Sequence, residues 1–293
     1  MTLGSPESIG FVGLGVMGEP MCRNLAARSG LPVRAFDRAP EPLVRLAEYD
    51  VTACDSLEAL ADASDIVFLA LPSGVQVQQV CAALLPRARV GFTVVDCGTS
   101  PVALTQTLAA DFAAAGADYA DAPIARTRQA AVDGTLSIMV GSSPAVFARI
   151  RPLLACMASD ITHCGGVGTG QVAKIMNNLV LVQTVAALCE ALAIAGAAGM
   201  DGVVLLDTLA KGSADSFALR NHAVKAVVPG VFPARAFSAE YALKDIGYAL
   251  DLARDAGLGA PGAERAATLL RAVIARGDGA LYWPVISRVI GLA

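Results

Sequence analysis

Three glycines near the N-terminus constrain the fold of this chain more than any other feature. Gly13, Gly15 and Gly18 stand in the run IGFVGLGVMGEPMCRNL, directly after an apolar segment and before residues with helical periodicity. A strand, a Gly-X-Gly-X-X-Gly turn and a helix in this order are typical of dinucleotide binding. The first glycine allows the tight turn, the second lets the backbone approach a pyrophosphate, and the third lets the helix pack on the strand. We therefore expect the turn residues to contact the cofactor: Gly13, Leu14, Gly15, Val16, Met17 and Gly18.

An acidic residue follows the second predicted strand, at residues 33–36. Asp37 lies about 20 residues after Gly18, the separation typical of a carboxylate that binds the hydroxyls of the adenosine ribose. Such a carboxylate repels a 2′-phosphate, and the sequence therefore predicts NAD as the cofactor. Arg38 leaves NADP open, because a guanidinium beside the ribose can pair with that phosphate. Alternatively, Arg38 is an exposed loop residue.

The composition limits the functional classes. A chain of 293 residues with a net charge of −4 has room for two domains and presents no basic run for nucleic acid or an anionic membrane surface. Its seven cysteines form no Cys-X-X-Cys pair and are odd in number, which predicts reduced thiols of a cytoplasmic protein rather than disulfides or a zinc site. The two histidines, His163 and His222, are too few for a His-rich metal site. No metal is expected, and any proton transfer must use another residue type.

The strongest candidate for a membrane span is the apolar segment at residues 175–189, between Lys174 and Glu190. It contains three amide side chains, and its 15 residues are fewer than a span needs. We predict a buried helix there. The N-terminus lacks the basic region of a secretory leader, and we expect no membrane partner.

Two patterns of organisation follow each other along the chain. Up to about residue 163, short apolar segments alternate with helical ones, and the predicted strands are residues 9–12, 33–36, 66–71, 92–97, 118–122 and 136–141. This alternation predicts a doubly wound α/β domain of the Rossmann type. From residue 171 to 197 there is no proline, which predicts a helix about 40 Å long that joins two domains.

The remaining segments predict helices at residues 203–209, 217–227, 239–256, 263–276 and 283–290. We therefore expect two domains. Residues 1–164 form the dinucleotide-binding domain, and residues 165–293 form an all-α domain for substrate binding and oligomerisation.

A lysine and an asparagine stand four residues apart at the start of the long predicted helix. Lys174 and Asn178 therefore project from one face, where a cation and an amide could meet one ligand. If that face is buried, desolvation lowers the pKa of an ammonium group toward the range useful for proton donation. From spacing alone, a solvated lysine at a helix start is as good an interpretation.

Four longer segments resemble the β-hydroxyacid dehydrogenase family, which includes 3-hydroxyisobutyrate dehydrogenase and tartronate semialdehyde reductase. They are GLGVMGEPMCRNL at 13–25, DAPIARTRQAAVDGTLSIMVG at 121–141, GTGQVAKIMNN at 168–178 and FSAEYALKDIGYALDLA at 237–253. The resemblance extends over nearly the whole chain. It implies an NAD(P)-dependent oxidoreductase that interconverts a small 3-hydroxy acid and its semialdehyde and that assembles as a homodimer or homotetramer.

The resemblance also implies roles for individual residues. Lys174 would be the general acid and base, and Asn178 and Asp245 would lie at the substrate. The residues implied at the cofactor beyond the glycine turn are Leu71, Pro72, Thr99 and Lys244. Without the resemblance, Lys244 and Asp245 would be interpreted as an ordinary exposed charge pair.

The chain departs from the family where the substrate carboxylate is bound. Most members have Ser-Gly-Gly after the Asp-Ala-Pro turn, whereas this chain has Ala125, Arg126 and Thr127. The Arg-Thr pair resembles the turn of sulfolactaldehyde reductases, in which the arginine meets a sulfonate. We expect residues 125–127 to bind substrate, with Arg126 on an anionic group, a sulfonate or a second carboxylate, and Arg128 nearby. The alternative is a loop arginine paired with a local carboxylate such as Asp133.

Two other functions remain open. An imine reductase has a similar two-domain organisation but usually an Asp or Tyr at the position of Lys174. A non-catalytic scaffold or NAD(P) sensor would be expected to have lost Lys174. Retention of this lysine favours the dehydrogenase, with a small anionic hydroxy acid or semialdehyde as its partner.

Overall fold

The computed structural model describes residues 4–234 and 236–290. Contacts between Cα atoms divide the chain into two compact units, Met1–Lys174 and Ile175–Ala293. The first unit is α/β and the second is helical, as the sequence predicts. The predicted domain boundary after residue 164 stays a prediction.

The first unit contains strands and helices in alternation. Its strands are β1 (Ile9–Val12), β2 (Val33–Phe36), β3 (Val51–Ala53), β4 (Ile66–Leu69), β5 (Thr93–Asp96), β6 (Asp118–Asp121), β7 (Ile124–Ala125), β8 (Leu136–Gly141) and β9 (Ala158–Gly165). Its helices are α1 (Gly18–Arg28), α2 (Pro40–Leu46), α3 (Leu57–Asp62), α4 (Gly74–Leu84), α5 (Val102–Ala114), α6 (Arg128–Asp133) and α7 (Pro144–Leu154). Short 3₁₀ turns follow α2 and α4.

The strands of the described residues form one sheet in the order β3-β2-β1-β4-β5-β6-β8-β7, with β9 paired to β8. The six strands from β3 to β6 are parallel, and β8 runs antiparallel to β6. Successive residues of a strand point to opposite faces of a sheet. Accordingly, Phe11 and Phe68 belong to one buried cluster, and Val12 and Val67 belong to another. Both faces of the parallel strands are therefore covered by apolar side chains, as in a doubly wound fold.

The sequence did not predict β9. Its central residues, Ser159, Asp160 and Thr162, are polar, and most of the strand is exposed or half-buried. A strand with this composition lacks the apolar run or alternation that identifies strands from sequence. It forms because β8 supplies its hydrogen-bond partners, with Ile138 opposite Ile161.

The second unit consists of helices around its own buried core. After α8 (Thr169–Ala197), which begins in the first unit, come α9 (Gly202–Leu209), α10 (Ala239–Asp255) and α11 (Pro261–Ala275). The predicted helix at 217–227 is a π-helix at Leu219–Val227, and the predicted helix at 283–290 is a 3₁₀ helix at Trp283–Val289, with Pro284 in its first turn. The core contains Trp283, Leu270 and Ile246, all inaccessible to solvent.

In the part of the chain that the structure describes, α8 is the one helix long and apolar enough by composition to cross a membrane. Long core helices of globular proteins pass the same test. Ile175, Val182, Val185 and Cys189 of α8 are buried against other parts of the chain, whereas Val180 and Ile194 are exposed. All seven cysteines are free thiols, five of them buried.

Candidate functional site

The three glycines of the N-terminal turn each meet a different geometric demand. Gly13 has φ +94°, a conformation that a residue with a side chain rarely adopts. A Cβ atom on Gly18 would collide with the carbonyl oxygen of Gly13, so that only glycine lets α1 start this close to the turn. Around Gly15, by contrast, a Cβ would meet no described protein atom within 4 Å. The turn is therefore tight on its protein side and open where a pyrophosphate would approach.

The open side of this turn coincides with the start of a helix. Apolar Met17 occupies the N-cap of α1, where a polar capping side chain is usual, and the first turn carries Glu19. The first backbone N–H groups of a helix have no partners within the helix, and the helix dipole favours an anion there. The arrangement fits the diphosphate of a dinucleotide, whose oxygens can accept these hydrogen bonds.

Asp37 lies at the end of β2, beside the glycine turn. Its Oδ2 accepts a hydrogen bond of 2.5 Å from the Leu14 N–H, and its Oδ1 accepts one of 2.8 Å from Ala39. A carboxylate has about four lone-pair directions, and acceptor capacity therefore remains for ribose hydroxyls. The backbone bonds hold the carboxylate against the turn. Arg38, next to it, is exposed.

The other residues predicted at the cofactor in the first unit lie along the same edge of the sheet. Leu71 and Pro72 follow β4, and Thr99 follows β5. Because β2, β1, β4 and β5 are parallel neighbours, their carboxyl ends meet at one edge, where open α/β sheets bind ligands. The structure thus brings Asp37, the glycine turn, Leu71 and Thr99 to one edge.

The turn at residues 125–127 has a backbone conformation that explains the usual glycine there. Arg126 has φ +86°, a strained value for a residue with a side chain. Its guanidinium donates hydrogen bonds to the carbonyl of Thr135 (2.7 Å), to Ser159 Oγ (2.8 Å) and to Asp160 Oδ2 (2.8 Å). Three such bonds help to hold the strained residue in place.

The carboxylate that pairs with Arg126 is Asp160, and not the Asp133 suggested by the sequence. Asp133 instead accepts a hydrogen bond from Gln129. The hydrogen bonds from Ser159 and Arg126 lower the pKa of Asp160. Ala125 lies in β7, Thr127 caps α6 by accepting from Ala130, and Arg128 is exposed. The ion pair is partly open to solvent, with 39% of the Arg126 side chain exposed.

Lys174 and Asn178 lie one turn apart on α8, as the sequence predicts. Lys174 is half-buried and Asn178 is 3% exposed. Asn178 donates a 2.5 Å hydrogen bond from Nδ2 to Asp245 Oδ2, and its Oδ1 accepts one from Asn177. The orientation of the Asn178 amide is therefore set by two neighbours, and each of its polar atoms keeps capacity for another bond.

Lys244 and Asp245 are not the exposed charge pair that the sequence alone suggests. Asp245 is 3% exposed, and its Oδ1 lies 3.2 Å from Lys244 Nζ. The Lys244 ammonium is also 5.6 Å and 5.3 Å from the ring centres of Tyr241 and Tyr248. α10 is amphipathic, and both residues lie close to its buried face. Asp245 therefore connects Lys244 with Asn178, a link that spacing along the chain could not reveal.

The two histidines occupy structural positions. His163 Nε2 lies 2.9 Å from the carbonyl of Ser142, and its ring stacks on Phe147. His222 Nδ1 lies 2.5 Å from the hydroxyl of Tyr282, and burial, with the charge of Lys225, lowers its pKa to about 4. Among residues 4–234 and 236–290, no group of three metal-ligating side chains is placed to hold a metal ion.

The sequence analysis assigned no role to two buried carboxylates, Asp96 and Asp121, at the ends of β5 and β6. Asp96 accepts hydrogen bonds from the Gly98 N–H and Ser100 Oγ. Asp121 accepts two backbone hydrogen bonds from the start of α8. The available signal was an aspartate directly after an apolar strand, which is the position of ligand-facing turns in this fold.

Two family models together match most of the chain. Residues 8–166 match the NAD binding domain of 6-phosphogluconate dehydrogenase, and residues 168–282 match the NAD-binding domain of NADP-dependent 3-hydroxyisobutyrate dehydrogenase. The chain is 35% identical to a 2-(hydroxymethyl)glutarate dehydrogenase of Eubacterium barkeri, over 86% of this chain and 84% of that protein. It is 33% identical to a 2-hydroxy-3-oxopropionate reductase of Escherichia coli, over 93% of each.

A solved structure of a 3-hydroxyisobutyrate dehydrogenase from Mycobacterium tuberculosis, with L-serine, has the same fold. Its TM-score is 0.85 at 31% identity, over 97% of this chain and 99% of that one. An imine reductase from Pseudomonas sp. has a TM-score of 0.61 at 19% identity, a likeness that extends to the fold alone.

Proposed function

Since the chain belongs to the β-hydroxyacid dehydrogenase family, we propose that it interconverts a small 3-hydroxy acid and its semialdehyde with Lys174 as general acid and base. The chain is an oxidoreductase with an NAD(P)-binding domain. One observation supports the proposed role of Lys174. A half-buried lysine and a buried asparagine lie one turn apart on α8, and Asp245 orients the asparagine.

Each group has a defined task in the direction of semialdehyde reduction. The nicotinamide cofactor, when bound at the glycine turn and Asp37, supplies the hydride. Lys174 donates a proton to the carbonyl oxygen as negative charge develops on it, and removes that proton in the reverse direction. Asn178 hydrogen-bonds the substrate with its remaining donor capacity. The backbone amides of residues 124–127 bind the substrate carboxylate, and this positioning lowers the barrier.

The substrate preference depends on Arg126, and we propose that it selects acids with a second anionic group, such as a sulfonate or a second carboxylate. The guanidinium is half-exposed at the turn predicted to bind substrate. The Arg126 charge is paired with Asp160, and a second anion of the substrate must therefore share or displace that partner.

We further propose that the protein prefers NAD, is located in the cytoplasm and assembles with further copies of the chain. NAD is favoured by the carboxylate of Asp37. Assembly is favoured by exposed apolar side chains of the second unit, including Val203, Val204, Phe217 and Val224.

The test is a panel of short hydroxy acids and semialdehydes, including dicarboxylates and sulfonates, assayed with both cofactors. Lys174→Ala should lower kcat by about two to four orders of magnitude and leave cofactor affinity unchanged, because it removes a proton donor and no cofactor ligand. Lys211→Ala is the matched control, since Lys211 is 72% exposed and pairs with Asp207.

Turnover by Lys174→Ala at the rate of the Lys211→Ala control would remove the lysine from the mechanism and favour an imine reductase or other chemistry. Tight cofactor binding without turnover of any substrate would identify a scaffold or sensor.

A further inference from the structure

Asp121 is a buried carboxylate with no role in the mechanism above. It lies at the end of β6 and is inaccessible to solvent. Its Oδ1 accepts a 2.6 Å hydrogen bond from the Gly168 N–H, and its Oδ2 accepts a 2.7 Å hydrogen bond from the Gln171 N–H. Both oxygens therefore bind the backbone at the start of α8.

These two N–H groups are the ones that a helix usually satisfies with its own capping side chain. Gly168 directly precedes the first residue of α8, Thr169, and Gln171 is the third residue of the helix. In a capping box, the N-cap side chain binds the N–H of the third helical residue, and the side chain of that residue binds back. Gly168 has φ +94° and no side chain. A single carboxylate from a strand thus supplies the cap that Gly168 cannot provide.

Glycines on both sides make room for this carboxylate. A Cβ on Gly141, in β8, would collide with the carboxylate of Asp121. A Cβ on Gly170, in the first turn of α8, would lie 2.7 Å from Asp121 Oδ2 and 2.9 Å from the Gly141 nitrogen. The start of α8 is therefore packed directly against the ends of β6 and β8, and a small displacement of it has no free space to enter.

The side chain of Gln171 ties the same helical turn to the end of β5. Its Oε1 accepts a 3.0 Å hydrogen bond from the Ser100 N–H, and its Nε2 donates a 3.0 Å hydrogen bond to the Gly98 carbonyl. Ser100 Oγ in turn donates to Asp96. Thr99 lies between the two residues that Gln171 binds. The loop predicted at the cofactor and the helix that carries Lys174 are thus held in one hydrogen-bonded network.

We propose that Asp121 is a positioning residue for the reaction: by capping α8 from β6, it sets where Lys174 is held relative to the edge of the sheet. Lys174 follows Gln171 by three residues, about 4.5 Å along the helix axis. A displacement of the capped turn therefore displaces Lys174 by nearly the same distance. This inference rests on the proposed role of Lys174.

Asp121→Asn is the direct test, because an amide would direct an N–H donor at one of the two backbone N–H groups. We expect kcat to fall about ten- to a hundredfold, the range for a misplaced catalytic group. KM for the cofactor should stay within about twofold, because the glycine turn and Asp37 are untouched. The basic limb of the kcat–pH profile should also shift, since the surroundings of the lysine change.

The matched control is Asp118→Asn. Asp118 is a half-buried carboxylate at the opposite end of β6. Its substitution should leave kcat, KM and the pH profile unchanged.

A second readout needs no substrate. Hydrogen exchange at the amides of Gly168 and Gln171 should be faster in Asp121→Asn than in the wild type and in Asp118→Asn. Wild-type exchange rates in Asp121→Asn, or faster exchange with wild-type kcat and pH profile, would overturn the proposal. If the wild type turns over no substrate, the proposed function fails. The cap is then tested by hydrogen exchange alone, and exchange rates in Asp121→Asn equal to those of the wild type would refute it.

If Asp121→Asn does not fold, Gly170→Ala replaces it. This substitution keeps the carboxylate and displaces the first turn of α8. It should show the same split between a lower kcat and an unchanged cofactor KM, and wild-type kcat in the folded variant would contradict the inference.

Discussion

At the scale of single residues, the proposals concern Asp37 for the choice of cofactor and Arg126 for the choice of substrate. Asp37 accepts hydrogen bonds from two backbone amides, which hold its carboxylate beside the glycine turn. Its negative charge would lie where the 2′-phosphate of NADP(H) must be placed. Arg38, exposed beside it, is the residue that could reduce this discrimination.

We therefore expect the wild type to use NAD(H) with the higher kcat/KM. Asp37→Ala should shift the ratio of kcat/KM for the two cofactors toward NADP(H), because the repulsion of the phosphate is removed. The ratio is measured for the wild type and for Asp37→Ala with the same substrate. A wild type that prefers NADP(H), or a ratio unchanged in Asp37→Ala, would refute the assignment of Asp37.

Arg126 is best tested by glycine, since its φ of +86° is strained for alanine and relaxed for glycine. Arg126→Gly should raise KM about tenfold or more for a substrate with a second anion, because a charge-assisted hydrogen bond contributes about 1.5–3 kcal/mol. KM for a substrate with one carboxylate should change little. Arg128→Ala, which changes the adjacent exposed arginine, is the control.

The ion pair with Asp160 provides the complementary variant. Asp160→Asn should lower KM for the doubly anionic substrate, since the guanidinium loses its competing partner. Equal losses on both substrates in Arg126→Gly would place Arg126 on the common carboxylate. No loss on either would make it a residue that only stabilises the turn.

At the scale of elements, the connection of β1 to α1 was predictable and the capping of α8 was not. The apolar segments predicted β1 at residues 9–12 and β2 at residues 33–36, where the structure has them, and the periodicity after the glycines predicted that a helix follows. The long helix was predicted at 171–197 and is found at Thr169–Ala197. Its first turn depends on Asp121, which no local signal connects with it.

The roles of the second and third glycines of the turn, Gly15 and Gly18, can be separated by experiment. Gly18→Ala should destabilise the protein by about 1–3 kcal/mol, because its Cβ meets the Gly13 carbonyl. Gly15→Ala should leave the melting temperature of the cofactor-free protein unchanged and weaken cofactor binding, because its Cβ points into open space. Unfolding curves and cofactor titrations measure both effects. Normal cofactor affinity in Gly15→Ala would exclude a close approach of the pyrophosphate.

The contact of β6 with α8 should be visible in the pH dependence of stability. Burial raises the pKa of Asp121 from 3.8 to about 6, against the opposing hydrogen bonds from Gly168 and Gln171, and the charge of Asp96 raises it further. Burial, and in turn the charge of Asp121, raise the pKa of Tyr119 and of the Cys164 thiol, and both groups are neutral in this range. Between pH 3.8 and about pH 6, the Asp121 carboxyl has released its proton in the unfolded chain and retains it in the folded chain. Rising pH in this range therefore favours unfolding.

We expect the free energy of unfolding of the wild type, relative to Asp121→Asn, to fall by up to about 3 kcal/mol between pH 4 and pH 7, since one pKa unit corresponds to about 1.4 kcal/mol. Urea unfolding of both proteins across this range measures the difference. A difference that is constant with pH would show that Asp121 titrates normally.

At the scale of the whole molecule, the chain combines an α/β unit with a helical unit that leaves apolar side chains exposed. Val203, Val224 and Val228, with the charged Asp207 and Arg220, border a cavity of about 340 Å³ in the second unit. Exposed apolar groups of this kind are typical of protein interfaces.

A second copy of the chain is the proposed occupant of this surface. Light scattering should give the mass of a dimer or tetramer, and Val224→Asp should lower it, because an unpaired charge in an interface is costly. The control is Val90→Asp, since Val90 is an exposed apolar residue of the first unit, 84% accessible. A monomeric wild type, or equal masses of the two variants, would refute the proposal.

The class of fold, the family and the position of the glycine turn could all be inferred from the amino-acid sequence alone. These depend on short-range properties: the φ of +94° at Gly13, which a residue with a side chain rarely adopts, the periods of strands and helices, and the separation of Lys174 and Asn178 by one helical turn. Which polar side chains pair with each other, by contrast, is visible only once the chain is folded. Asp121 binds Gly168 across 47 residues, Asn178 binds Asp245 across 67, and Arg126 binds Asp160 rather than Asp133. The local sequence around a polar side chain is compatible with many hydrogen-bond partners. The packing of helices and strands brings one of these partners within bonding distance and buries the pair, and this cannot be inferred from a local pattern.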